Sequence, residues 1–466
     1  MQIKHFIGDR AFYRKVLAVS VPMMIQNGIT NFVSLLDNIM VGRLGTEAMS
    51  GVSIVNQFIF IFNLLIFGAI SAAGIFTAQY HGLGDTEGVR YTFRLKFLIN
   101  LCAASLAIGI FSVFQNGLIS LFLHSGGGGD LGATLSFGKE YLVIMLFGMI
   151  PYAISQVYAS TMRETEQTIV PMVSSVAAVL TNLILNYILI FGHFGVPALG
   201  VTGAAIATVI SRFVELAILA LWGHTHPQKC TFLVGAFRSF RAPKHLFFQV
   251  AAKGLPLMAN ECFWAMAVTL RNQCYSTRGL DVVAAQNICS TIFNVFNVVY
   301  MSIGCSIAII VGNLLGAGRI EDAKDTDRKM MTFSVFCSAL LALLLVSTSH
   351  LFPSLYNTGE TVRDLAAYMM IISAATMPFC AFAHSAYFTL RSGGRVLITF
   401  LFDSIYMWVI VLPLSFSLAY GTEIGIHWLF VICQSTEILK CIFGYALLRR
   451  GTWARQLVSK TEVEST

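Results

Sequence analysis

Twelve apolar runs follow one another along 466 residues, and charge is almost absent from them. A hydrocarbon layer about 30 Å thick needs about 20 apolar residues at 1.5 Å each. Runs of that length lie at roughly 14–38, 50–80, 93–116, 138–161, 169–192, 199–223, 247–275, 284–314, 331–352, 365–390, 396–420 and 425–448. Peptide groups in lipid have no water to bond, so each run must satisfy itself as a helix. An all-α polytopic membrane protein with twelve transmembrane helices is expected. The chain is 11% charged, against about a quarter for soluble domains, which excludes a soluble enzyme or a nucleic-acid-binding protein. No signal-peptide core or cleavage site is read near the start, because the first apolar run continues past Val33.

Basic residues set the orientation. With the N-terminus inside, 23 of the 30 Lys and Arg fall on the cytoplasmic side, among them Lys4, Arg94, Arg163, Arg241, Arg328, Arg395 and Lys460. Arg43, Lys139, Arg278 and Arg363 fall outside, while Arg212, Arg271 and Lys440 fall within spans. Both termini are therefore expected in the cytoplasm of a cell (inner or plasma) membrane. The net charge of +7 belongs to these loops rather than to an anionic partner. All cysteines except Cys230 lie in apolar runs, with no CxxC spacing, and read as small unpaired residues.

Polar stretches at Gly82–Arg90, Gly126–Gly129, Arg163–Gln167 and Ser392–Arg395 punctuate the runs, and the longest, His224–Lys244, falls at mid-chain. The expected organisation is a six-helix lobe at 1–223, a cytoplasmic linker at 224–246 and a second six-helix lobe at 247–466 with a short cytoplasmic tail. A shift of 234 places Pro22 on Pro256, Asn38 on Asn272, Gly45 on Gly279, Gly82 on Gly316, Gly84 on Gly318 and Arg94 on Arg328. The offset then drifts, to 227 for Pro151/Pro378 and 222 for Glu215/Glu437, as unequal loops would make it. Six is even, so the internal repeat is parallel, with an axis along the membrane normal. Two such lobes suit alternating access. With no Walker A sequence, a secondary transporter driven by an ion gradient is the leading class.

Pro22, Gln26 and Leu36-Asp37-Asn38-Ile39-Met40-Val41-Gly42 with Leu44-Gly45 resemble the first-helix signature of the multidrug and toxic compound extrusion (MATE) family. Gly82-Leu83-Gly84, Gly316-Ala317-Gly318-Arg319, Thr389-Leu390-Arg391-Ser392-Gly393, Asn182-Leu183-Ile184-Leu185-Asn186-Tyr187-Ile188 and Gly200-Val201-Thr202-Gly203-Ala204-Ala205 are similar to later motifs of that family, in the same order. The likeness covers essentially the whole chain and is closest to the bacterial NorM-like branch. It implies antiport: export of cationic, amphipathic drugs, toxins or metabolites in exchange for Na⁺ or H⁺. It calls for no cofactor, no nucleic acid, the lipid bilayer as surroundings, small organic cations as partners and a functional monomer.

An ionisable side chain within a span costs several kcal/mol, about 2.5–3.5 on insertion scales, and so tends to face a cavity. Asp37 lies in the outer half of helix one, and Asn182 and Asn186 share a face of helix five at i, i+4. A carboxylate with two amide carbonyls can replace a sodium ion's water, or the carboxyl can hold a proton. The resemblance makes these three the cation or proton site of the first lobe, with Na⁺ as the candidate metal. A local capping role for Asp37 is the competing reading. Thr202 either completes that site or caps helix six, and Gln156 either lines the cavity or joins helices.

Glu261 follows Pro256 in helix seven. NorM-like relatives carry an acidic residue about one turn further along, where Trp264 stands, and another in helix ten, where Cys380 stands with His384 four residues on. Coupling is therefore expected mainly through the first lobe. Arg271, the repeat partner of Asp37, is an outer gate, a partner that lowers the pKa of the opposed carboxyl, or a side chain reaching to headgroups. Arg212/Glu215 and Glu437/Lys440 read as self-neutralising i, i+3 pairs, and Asp403 has no evident partner. Trp264, Tyr300 and Met301 are candidates for a wall that stacks on flat cations.

Three competitors are weighed against antiport. A lipid-linked oligosaccharide flippase would want a strongly basic cavity. A membrane-embedded enzyme would need a constellation such as HExxH or GxSxG, and neither occurs. A channel would want a filter motif.

Overall fold

The computed structural model describes residues 6–122, 130–356 and 358–459, with the side chains of Leu35, Asn38 and Ile39 also outside the description. The glycine run Gly126–Gly129, Lys4, Lys460 and the side chain of Asn38 thus lie outside the described residues. Twelve long helices account for the twelve runs: α1 (Arg10–Gly42), α2 (Thr46–Leu83), α3 (Thr86–Ser120), α4 (Leu131–Glu164), α5 (Ile169–Phe191), α6 (Gly200–Thr225), α7 (Lys244–Ser276), α8 (Leu280–Gly316), α9 (Ile320–Ser347), α10 (Glu360–Ser392), α11 (Val396–Gly421) and α12 (Ile426–Arg449). Eleven of them are long and apolar enough to cross a membrane by composition alone. The exception is α7, where Lys253, Asn260, Glu261 and Arg271 dilute the apolar run. No strand occurs among the described residues.

The repeat is visible in the backbone. Gly45 and Gly279, which the 234 shift superposes, have φ of 113° and 117°. Gly84 and Gly318, related by the same shift, have φ of 75° and 74°. Only glycine adopts such conformations freely, so the same two turns are written twice in the sequence. Asp130 starts α4 by accepting hydrogen bonds from Gly132 N (2.8 Å) and Ala133 N (3.1 Å).

Two compact units make up the chain. The leading unit holds Ile25–Thr77 and Thr86–Gly254; the trailing unit holds the chain through Met24, Ala78–Asp85 and the chain from Leu255. In the leading unit α4 packs on α3 and α6, and α6 on α5. In the trailing unit α10 packs on α9 and α12, and α12 on α11, the same relations repeated. Val55, Phe58 and Leu142 fill one core; Met369, Met377 and Phe430 fill the other.

The linker is not separate from the leading unit. It forms two short 3₁₀ turns, Thr231–Leu233 and Ala236–Arg238, seated on α3. Arg94, only 6% exposed, donates to Ala236 O (2.7 Å), Gly235 O (2.9 Å) and Arg241 O (3.2 Å). Cys230, which sits in a polar stretch of the sequence, is fully buried there. The tail is seated too. In the trailing unit Trp453 is buried, Gln79 donates to Ser392 O and Arg455 O and accepts from Leu457 N, and Gln456 donates to Gly316 O. The ends of α2 and α8 meet here through reciprocal glycines: a Cβ on Gly82 would fall 1.8 Å from Asn313 O, and one on Gly316 would fall 1.9 Å from Gln79 O.

Candidate functional site

Asp37 sits in the last two turns of α1, within the leading unit, and the i, i+4 spacing on α5 brings both asparagines to it. Asn186, 2% exposed, donates from Nδ2 to Asp37 Oδ1 at 2.8 Å. The amide end of Asn182 lies 2.8 Å from Asp37 Oδ2 and 3.1 Å from Oδ1. With its nitrogen turned to Asp37, its oxygen accepts from Thr208 Oγ1 at 3.2 Å and from Thr208 N at 3.3 Å. Two oxygens cannot sit 2.8 Å apart without something positive between them. The nitrogen is therefore the end of the Asn182 amide that faces Asp37. An ionised Asp37 draws the amide N–H of Asn182; a protonated or cation-bearing one admits the amide oxygen instead, by a half-turn of the amide.

The asparagines face the carboxylate as N–H donors here. One oxygen stands ready for the other role: Asn186 Oδ1 is buried and has no hydrogen-bond partner. That orphan oxygen, Asp37 and Asn182 are a hard-oxygen set suited to a small monovalent cation. Tyr141, 5% exposed, is packed in the core of the same unit. A small cavity of about 20 Å³ adjoins the cluster through Thr208 and Arg212, with Phe62, Met145, Met149 and Tyr152 on its wall.

Thr202 is not part of this cluster. It is the third residue of α6, whose cap position is Leu199, and its hydroxyl donates to Glu140 of α4. Both readings open in the sequence are therefore replaced by an α4–α6 link. Gln156 is half-buried on α4 and is not among the groups bonded to Asp37. Thr208 is the residue that sequence reasoning missed. A polar stripe at i, i+4, i+7 on α6 (Thr208, Arg212, Glu215) was the available signal. The Arg212–Glu215 pair forms as expected, at 3.6 Å, and the guanidinium also lies over the Tyr152 ring at 4.6 Å.

The trailing unit holds a second polar cluster. Glu261 accepts from Tyr387 OH at 3.0 Å. Its neighbour Asn260 donates to Asp403 Oδ2 at 3.1 Å and accepts from Ser404 Oγ at 2.8 Å. Lys440 donates to Asp403 Oδ1 at 2.7 Å. This corrects the expected Glu437/Lys440 pair and gives Asp403 its partner: a carboxylate on the facing helix outcompetes one a turn away. Asn260, Tyr387 and Ser404 were not foreseen. Arg271 is half-buried, and its Nε is buried without a hydrogen-bond partner. Tyr300 is 7% exposed in the trailing unit's core, so it is not an open wall; Trp264 and Met301 are each 40% exposed. All ten cysteines are free, and no group of three or more His, Cys, Asp or Glu suited to a metal occurs among the described residues.

The MatE family model matches the chain twice, over residues 22–188 and 256–417, starting at the two prolines that the 234 shift superposes. The chain belongs to the MATE family. MATE proteins are transporters, not enzymes. Among curated relatives, the probable multidrug resistance protein NorM of Thermotoga maritima is 21% identical over 456 residues, covering 96% of this chain and 95% of its own length. The probable multidrug resistance protein YoeA of Bacillus subtilis is 22% identical over 440 residues, covering 93% of each. The same MATE fold is found in a mutant of the Vibrio cholerae transporter VcmN, with TM-score 0.84 and 18% identity over 95% of this chain and 98% of that one. An outward-facing multidrug resistance MATE transporter of the MOP superfamily gives TM-score 0.85 and 17% identity over 96% and 98%. The chain is thus a NorM-like, multi-pass member of the MATE family, with the two-lobe repeat of its fold.

Proposed function

We propose that this transporter is a secondary antiporter that exports cationic, amphipathic compounds against inward movement of Na⁺ or H⁺, with Asp37, Asn182 and Asn186 as the coupling site. The observation that carries the reading is the cluster itself: Asp37, within an apolar span, accepts from Asn186 Nδ2 at 2.8 Å with the Asn182 amide beside it. Amide N–H groups steady the ionised carboxylate, and a half-turn of an amide offers its oxygen to a proton or cation bound there instead. A carboxylate held this way within an apolar span exchanges its load without leaving an uncompensated charge. If organic cation and coupling ion each lower the other's affinity, linkage makes the exchange obligatory in both directions. The relatives named for multidrug resistance support the substrate class.

The basic asymmetry supports a cell (inner or plasma) membrane location with both termini in the cytoplasm. The internal repeat supplies both halves of a transport path within one chain, which supports a functional monomer. The test is extrusion of ethidium by the purified protein in vesicles, with Na⁺ and pH gradients imposed separately. At least one gradient drives extrusion if the reading holds; dye movement indifferent to both overturns it.

A further inference from the structure

Each unit contains a half-buried carboxylate held by an asparagine amide: Asp37 by Asn186 in the leading unit and Asp403 by Asn260 in the trailing unit. They differ in one respect. Asp403 carries a lysine ammonium at 2.7 Å, whereas among the described residues no ammonium or guanidinium lies within ion-pair distance of Asp37. A lysine in a span ordinarily extends its stem toward the headgroups. Lys440 does the opposite: it is 7% exposed, and its Nζ lies over the Phe402 ring at 5.4 Å as well as on Asp403.

The backbone around Asp403 is irregular in the same place. Leu401–Ile405 and Met407–Val411 are π-helical, a geometry that occurs as short insertions where a helix must re-aim side chains. Ser404, within the first insertion, donates to Asn260 O (2.7 Å) and Asn260 Oδ1 (2.8 Å) and so locks the amide that holds Asp403. Beside the cluster, Glu261 accepts from Tyr387 at 3.0 Å, and the His384 ring stacks on Tyr387.

We propose that the Lys440 ammonium is a tethered counter-cation occupying the cation position at Asp403, so that the trailing unit balances its charge without an exchangeable ion. Two oxygen-rich carboxylate clusters then divide their roles, one open to exchange and one permanently filled. The division rests on the antiport reading, but the occupancy of Asp403 is tested without transport. Removing the ammonium leaves the half-buried Asp403 carboxylate with an unfilled cation position, which a monovalent alkali cation can take.

The experiment is thermal unfolding in detergent, in NaCl against choline chloride at equal ionic strength, in an Asp37→Asn background that silences the leading site. Asp37→Asn alone shows no sodium-specific shift. Asp37→Asn/Lys440→Met gains one of about 2 °C or more, and adding Asp403→Asn abolishes it. No sodium-specific gain in the Lys440→Met protein, or the same gain with Asp403→Asn, overturns the proposal. Where the Lys440→Met protein does not survive extraction in choline chloride, recovery of monodisperse protein in NaCl supports it, and equal loss in both salts overturns it. Failure here leaves gradient-driven dye extrusion untouched, and absence of that extrusion leaves this measurement untouched.

Discussion

Replacing Asp37 with asparagine keeps the shape of the side chain and removes its charge. Two contacts change, the 2.8 Å bond from Asn186 and the 2.8 Å contact with Asn182. Charge-assisted hydrogen bonds contribute about 1.5–3 kcal/mol against about 0.5–1.5 for neutral ones, so the structural cost is about 1–2 kcal/mol per contact at most. One amide can re-pair by a half-turn, which places the expected fall in thermal midpoint at no more than about 4 °C. The functional loss is far larger. A monovalent cation about 4 Å from a carboxylate gains about 4 kcal/mol at an effective dielectric near 20, close to a thousandfold in affinity. An asparagine has no proton to exchange. Ethidium extrusion from vesicles, normalised to folded protein, should fall to the protein-free rate under both Na⁺ and pH gradients. Extrusion by Asp37→Asn at the unmutated rate, with the same ion dependence, would refute the coupling role.

Four further substitutions test the frame that holds the site. Gly316→Ala places a Cβ 1.9 Å from Gln79 O, so the ends of α2 and α8 must part by more than 1 Å; the cost should be at least about 1–3 kcal/mol in thermal unfolding. Gly109→Ala, with nothing within 4 Å, should be neutral or stabilising in the same assay. Arg94→Lys exchanges a fork reaching three carbonyls for a single ammonium; protease nicking between residues 226 and 243 should rise by about tenfold, corresponding to about 1.4 kcal/mol of lost docking. Lys96→Met strands Glu164 beside a fully buried position and should cost about 3–5 kcal/mol, seen as low yield and a depressed midpoint. Lys96→Met/Glu164→Gln should recover most of that loss, and a double variant as unstable as the single one would contradict the pairing.

Much of this transporter is readable before it folds. Hydrocarbon thickness sets run length, run length sets the helices, and a 234-residue shift exposes a repeat whose glycines then have matching φ values. Asp37, Asn182 and Asn186 were legible for a related reason. A lone acid in a span demands polar company, and 3.6-residue periodicity decides which amides share a face. Glycines 82 and 316 were visible as a pair, but not that each admits the other helix's backbone.

What periodicity leaves open is which face meets which helix. Lys440 and Glu437 share a helix face by spacing, yet Lys440 bonds Asp403 on α11, because packing sets that carboxylate at 2.7 Å. Thr202 goes to Glu140 and Thr208 to Asn182 by the same cause, the rotation of α6 against α4 and α5. The linker and tail read as solvent-facing from their polarity alone. They are held instead by Arg94 and Gln79, buried side chains that satisfy backbone groups far away in sequence. Local spacing is a property of the chain; the partner across a helix interface is decided only when side chains from distant segments compete for the same few donors and acceptors.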